Sequence, residues 1–161
     1  MTRLTELRTP TDLAAAFEHH IPLNHWLGLK AAEILPGRVR VELPYKAELI
    51  GNPEIPALHG GAISATLDTT GGLAVWSQAR PMDRVSTIDL RIDYLRPGRP
   101  ETLVAIAEVV RLGNRVGVTQ LRAFHVGEED RPVAAGMGVY SVRRARDDHG
   151  PESWDFSDHG D

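Results

Sequence analysis

The 161-residue sequence contains no cysteine. Disulfides, thiolate metal sites and a cysteine nucleophile are therefore excluded. A basic surplus is missing too: 18 Lys and Arg face 22 Asp and Glu, and the formal charge of -4 offers no electrostatic footprint for nucleic acid. No apolar run reaches the length of a membrane span, and Met1 to Pro10 has no hydrophobic segment of a secretory signal, so a cytoplasmic protein is expected. The Gly-x-Ser-x-Gly elbow of serine hydrolases is absent, and no internal repeat is evident. His19, His20 and His25 lie close together, but no acidic residue is spaced to complete a metal site, and no metal is expected.

What is present suits one domain, since 42% hydrophobic content can build a core at this length. The chain is organised around Asn52 to Gly72, where two prolines are expected to keep Pro53 to Pro56 extended before His59, the pair Gly60-Gly61 and an apolar helical pattern. The first turn of a helix presents N–H groups without intrahelical partners, and the macrodipole adds partial positive charge there. Gly60 and Gly61 leave those donors uncovered, so a developing oxyanion can approach them. Asp68 is the one acidic residue between Glu54 and Asp83. Seven helical residues place it about 10 Å along the axis from Gly61, too far for both to serve one carbonyl. If they act together, Gly61 of one subunit faces Asp68 of another, which implies a dimer of antiparallel helices.

Along the chain, Thr11 to His20 reads as a short helix capped by Thr11, and residues 1–26 form an N-terminal helical segment. Trp26 and Leu27 precede Gly28 and either cover a core edge or line a pocket. Leu29 to Leu35 and Arg38 to Pro44 form a hairpin about Pro36-Gly37, with Val39, Val41 and Leu43 facing inward. Gly61 to about Ala79 is apolar nearly all round, as in a largely buried helix. Gly71 and Gly72 weaken it by about 1 kcal/mol each, so a close approach of a sheet or a partner helix is expected there. In the next strand Ser86, Ile88, Leu90, Ile92 and Tyr94 alternate with Thr87, Asp89, Arg91 and Asp93. Thr102 to Leu112 reads as a central strand. Gly113-Asn114 marks a two-residue hairpin with a positive-φ glycine before Arg115 to Val126, and Pro132 to Arg143 is the last strand. Residues 144–161 are polar and read as a disordered tail in which Trp154 and Phe156 can dock locally. An α+β domain over 27–143 follows, with one antiparallel sheet of about six strands curled around one long central helix.

Two motifs carry a family resemblance: Leu58-His59-Gly60-Gly61 with Asp68 on the following helix, and Ser86-Thr-Ile-Asp-Leu-Arg-Ile-Asp-Tyr-Leu-Arg-Pro97 on the strand after it. Over roughly Leu27 to Val142 the chain resembles the hotdog-fold acyl-CoA thioesterases of the phenylacetate-pathway type. The resemblance implies a homodimer with composite sites, usually paired into a tetramer, and a substrate that brings coenzyme A with it, with no other cofactor. It also implies roles. The Gly61 amide polarises the thioester carbonyl, Asp68 of the facing subunit is nucleophile or general base, and Asn52 positions water. His59 holds the loop, and Thr87 lies close to the reacting group. Asn52 departs from the family in standing seven residues before His59, a wider spacing.

Gly60, Leu58, Trp26, Trp76, Arg96 and Arg115 are the substrate-binding candidates: apolar wall, uncovered backbone, and arginines at strand ends suited to phosphate. Each candidate also admits a purely structural role. Asp68 can be a buried, hydrogen-bonded carboxylate, His59 a cap, Asn52 a turn residue, Thr87 an ordinary strand threonine, and the arginines solvated. A non-catalytic acyl-CoA-binding or sensor module and a hydratase or dehydratase of the same fold are the alternative functions.

Overall fold

A computed structural model describes residues 9–80 and 83–144, so the expected tail beyond Arg144, with Trp154 and Phe156, lies outside the described residues. The N-terminal helix, α1, spans Pro10–Ala15 and starts two residues earlier than Thr11 as cap suggests. Thr9 is the cap: its hydroxyl accepts from Asp12 N–H at 3.1 Å while Asp12 Oδ2 accepts from Thr9 N–H at 3.1 Å. Pro10, with no N–H to satisfy, then fits the first helical position. A wider π turn over Ala16–His20 buries Phe17, and α2 follows at Pro22–Leu27. Phe17 and Leu27 enter the same apolar cluster as the sheet and the central helix.

Strands β1 (Lys30–Leu35) and β2 (Arg38–Leu43) pair antiparallel as expected, and Gly37 makes the turn at φ 77°. Val39, Val41 and Leu43 are buried. The central helix, α3, runs Gly60–Trp76 with His59 as its cap. It stops short of Ala79 because Ser77 turns its hydroxyl back to Ala74 O at 2.7 Å and accepts Gly37 N–H at 2.9 Å. A small hairpin between β3 (Ile50–Asn52) and β4 (Ala57–Leu58) leads into it and was not anticipated. Pro53 to Pro56 form its turn rather than an extended run. Asn52 Oδ1 accepts from Glu54 N–H at 2.9 Å, and a side-chain turn of that kind overrides the proline preference.

The long strands are β5 (Arg84–Tyr94), β6 (Leu103–Leu112), β7 (Val116–His125) and β8 (Ala134–Arg143). They join β1 and β2 in one six-stranded antiparallel sheet, ordered β1-β2-β6-β7-β8-β5. Leu103 to Ala107 are all buried, as expected of a central strand. Their inner side chains pack with Leu67 and Leu73 of α3, while Val104, Ile106 and Phe124 form a separate cluster. The β6–β7 turn is Gly113 to Arg115, three residues rather than two, closed by Gly113 N–H to Val116 O at 2.8 Å. Gly113 is not among the positive-φ glycines, so a tight primed turn is not formed.

The simple alternation expected in β5 is broken. Thr87 lies opposite Tyr140 and Asp89 opposite Val139, so Ile88 is the extra residue of a bulge. One inserted residue reverses the facing of everything after it. Val85 packs beside Tyr140, Leu90 and Ile92 join the core below α3, and Ile88 is left 59% exposed. Thr87 therefore shares the helix-facing side with Leu90, Ile92 and Tyr94, where strict alternation had put it opposite them.

Candidate active site

Asp68 sits midway along α3 on its partly exposed stripe with Ser64, Ala65 and Gly72, whereas Ala62, Ile63, Thr66, Leu67 and Thr70 are buried. The β5 bulge brings Thr87 to it: the Thr87 hydroxyl donates to Asp68 Oδ1 at 2.8 Å. One carboxylate oxygen is thereby held by a side-chain donor. Behind the same turn, Tyr140 donates its O–H to the Asp68 backbone carbonyl at 3.0 Å. Burial pushes the Tyr140 phenol far above its ordinary range, and the Asp68 carboxylate adds to that, so it remains a donor. Gly71 makes this possible. A Cβ there would lie 2.1 Å from the Tyr140 oxygen, which identifies the expected close approach as that of the sheet.

The second half of the site lies at the start of α3. His59 Nδ1 accepts from Gly61 N–H at 2.8 Å, which caps the helix and places the imidazole proton on Nε2 in the neutral ring. The Gly61 donor is thus shared with a side chain, and Gly60 N–H stands beside it at the first helical position. The loop is fixed by His59 N–H to Leu49 O at 2.7 Å and Leu58 N–H to Gly98 O at 2.8 Å. Tyr94, not foreseen, donates its O–H to Gly60 O at 2.9 Å. A cleft of about 370 Å³ opens at this point, lined by Leu58, Gly60, Ile63 and the run Tyr94 to Gly98.

Three of the substrate-binding candidates, Leu58, Gly60 and Arg96, therefore meet in one cleft. Arg96 donates to Pro132 O at 2.9 Å and has no carboxylate partner among the described residues. Arg99, by contrast, is taken up by Glu101 and Glu128, which leaves it little capacity for a phosphate. Its backbone N–H donates to His125 Nε2 at 2.9 Å, tying the loop that floors the cleft to β7.

The other candidates stand apart. Trp26 is 58% exposed on α2, with the Lys46 ammonium 4.2 Å above its ring. Trp76 closes the far end of α3, about 24 Å of helical rise from Gly60. Arg115 lies in the β6–β7 turn near that same end, where Gly117 packs on Val75. Asn52 keeps its Oδ1 in the turn, so its amide N–H2 is the group left to bind anything else. His19 and His25 stack edge to face with centroids 6.0 Å apart, and no group of three His, Asp or Glu among the described residues is placed to hold a metal.

Within one chain, then, a carboxylate and a set of helix-start donors lie on the same helix about 10 Å apart. Each is built with its own supports, and neither completes the other.

Known proteins resemble this chain in sequence and fold. Residues 56–130 match the sequence profile of the thioesterase superfamily. A putative esterase of Halobacterium salinarum is 36% identical over 143 residues, covering 83% of this chain and 94% of that protein. The medium/long-chain acyl-CoA thioesterase YigI of Escherichia coli is 30% identical over 139 residues, 78% of this chain and 88% of that one. Among solved structures, a Shewanella oneidensis protein related to the thioesterase superfamily is 34% identical with a TM-score of 0.73, covering 83% of this chain and 94% of its own. A thioesterase family protein of Silicibacter pomeroyi is 28% identical with a TM-score of 0.75, over 84% and 98%. Sequence, profile and fold agree over most of the length, and the chain belongs to the thioesterase superfamily.

Proposed function

We propose that this protein hydrolyses an acyl-CoA thioester to the free acid and coenzyme A in a site shared between two subunits. The observation that carries the reading is the split site: Asp68 with Thr87 at mid-helix, and the Gly60-Gly61 donors above an apolar cleft at the helix start. The named activity of the Escherichia coli relative supports the substrate class.

In this reading the thioester carbonyl oxygen meets the Gly61 amide, with Gly60 N–H alongside. Its carbon faces Asp68 of the opposing subunit. Asp68 either attacks directly, giving an acyl-aspartyl anhydride that a water molecule then hydrolyses to the free acid and the restored carboxylate, or removes a proton from a water held by the Asn52 amide that itself attacks. The tetrahedral oxyanion collapses with cleavage of the C–S bond, and the thiolate leaves as coenzyme A. Preorganised N–H donors at such an oxyanion are worth several kcal/mol because they strengthen as charge develops. His59 fixes the donor loop, and Thr87 aims the carboxylate. Leu58, Gly60, Trp26 and Trp76 contact the acyl and pantetheine portions, and Arg96 and Arg115 the phosphates. Trp76 and Arg115 reach a site only from the subunit that also lends Asp68. Coenzyme A enters with the substrate, no further cofactor is needed, and two such dimers pair into a tetramer in the cytoplasm.

The test follows thiol release from a panel of aryl and straight-chain acyl-CoAs with a thiol-reactive dye, for which the cysteine-free protein gives no background. Wild type is expected to turn over, and Asp68→Ala to lose roughly 100-fold or more. Binding of acyl-CoA without turnover would favour a sensor module instead. Turnover untouched by the substitution would remove Asp68 from the chemistry.

A further inference from the structure

Three side-chain hydrogen bonds converge on a single peptide group at the start of α3. The Gly60 carbonyl oxygen accepts from Tyr94 O–H at 2.9 Å and from Ser64 Oγ–H at 2.9 Å, and the Gly61 N–H donates to His59 Nδ1 at 2.8 Å. The Gly60 C=O and the Gly61 N–H are the two ends of one planar amide. A donor on the oxygen draws electron density toward it and makes the N–H at the other end a stronger donor. It also fixes the plane in which that N–H points.

Tyr94 holds this position for a definite reason. The bulge at Ile88 turns the far end of β5 so that Leu90, Ile92 and Tyr94 face the helix, and the phenol ring then lies flush with the glycine: a Cβ on Gly60 would be 3.4 Å from it. The ring is 53% exposed, so packing alone does not account for a tyrosine over a phenylalanine. Its hydroxyl is the part with a partner, and that partner is the amide beside which the reaction is placed.

We propose that Tyr94 is a positioning residue for the thioesterase reaction, its hydroxyl orienting and polarising the Gly60–Gly61 peptide that receives the oxyanion. This rests on the thioesterase reading above. Ser64 supplies the second hydroxyl on the same oxygen, from within the helix. Tyr94 also lines the cleft, so the competing role is that of a wall that binds substrate without affecting the barrier.

The experiment compares wild type, Tyr94→Phe and Ser64→Ala in two ways. With the acyl-CoA panel, Tyr94→Phe is expected to lower kcat about tenfold, the effect of one hydrogen bond lost from the transition state. KM should stay within roughly twofold, because ground-state binding is not what the hydroxyl serves. In parallel, protein labelled with carbonyl-13C,15N-glycine yields carbonyl-to-amide correlations only at Gly-Gly steps, which in this sequence are Gly61 and Gly72. Loss of the donor should move the Gly61 resonance and leave Gly72 in place, while the retained phenyl ring keeps ring-current effects similar. Ser64→Ala should move the same resonance and lower kcat in the same direction. An unmoved Gly61 resonance, an unchanged kcat, or a loss expressed wholly in KM would overturn the assignment. If wild type hydrolyses no acyl-CoA, the thioesterase reading fails by itself, and the Gly61 resonance still decides whether Tyr94 sets that amide.

Discussion

Thr87 and Asp68 show how much of this site rests on single contacts. Among the described residues the carboxylate has one side-chain donor, at 2.8 Å, and that donor comes from a strand whose register shifts one residue later. Removing it frees Asp68 to rotate and removes a charge-assisted bond. Thr87→Val should therefore lower kcat by roughly 3- to 30-fold, while Thr87→Ser should retain most of the activity. Steady-state kinetics on the best substrate of the panel decides this, and equal losses in both variants would point to packing. Asp68, His59 and the glycine pair were legible in the sequence, because polar and side-chain-free residues stand out against an apolar helical pattern. Tyr94 and Tyr140 were not. Their partners are backbone carbonyls 34 and 72 residues away, which no local pattern records.

Among the elements, α3 holds both halves of the candidate site, and its Gly71 faces the sheet. Gly71→Ala would raise intrinsic helix propensity by about 1 kcal/mol. The same methyl would fall 2.1 Å from the Tyr140 oxygen and 3.1 Å from Leu121 Cδ2, in a region with no room to yield. Overpacking should win, for a net loss of about 1–3 kcal/mol read as a lower denaturation midpoint. Adding Tyr140→Phe removes the nearest atom and should recover part of that loss, a coupling that independent sites would not show. The helix, the β1–β2 hairpin and the four long strands were all readable from periodicity and turn residues. The bulge in β5 was not, since Ser86 to Tyr94 alternates without interruption and the slip exists only relative to β8. Asn52 as a turn residue was one of two readings the sequence offered, whereas the extended Pro53 to Pro56 run was not formed, because a side-chain oxygen competes there with two prolines.

For the whole molecule, β5 closes the sheet on one side and, among the described residues, pairs only with β8, which leaves the second edge of an eleven-residue strand without a partner there. Native proteins cover such edges, and a second copy of this chain would do so while bringing two α3 helices into antiparallel reach. The expected state is a dimer or a dimer of dimers, measured by light scattering. Complementation tests the composite site itself. Asp68→Ala and Gly60→Val, each inactive alone, should regain up to about a quarter of wild-type activity when unfolded and refolded together, because half the dimers then carry one intact site. No recovery in verified mixed dimers would place both halves of each site in one subunit.

The sequence by itself determined the class of elements, the buried helix, the candidate acid and the donor-rich helix start, since these follow from residue types at local spacing. It also determined that one helix cannot present Asp68 and Gly61 to the same atom, which is a matter of helical rise alone. Only the tertiary structure decided which face of β5 carries Thr87, which side chains grip the Gly60 carbonyl, and that Leu58 and Arg96 share a cleft that Trp76 and Arg115 of the same chain do not line. Those outcomes depend on register between strands and on contacts between residues far apart in the chain, and such contacts are set by packing the whole core at once.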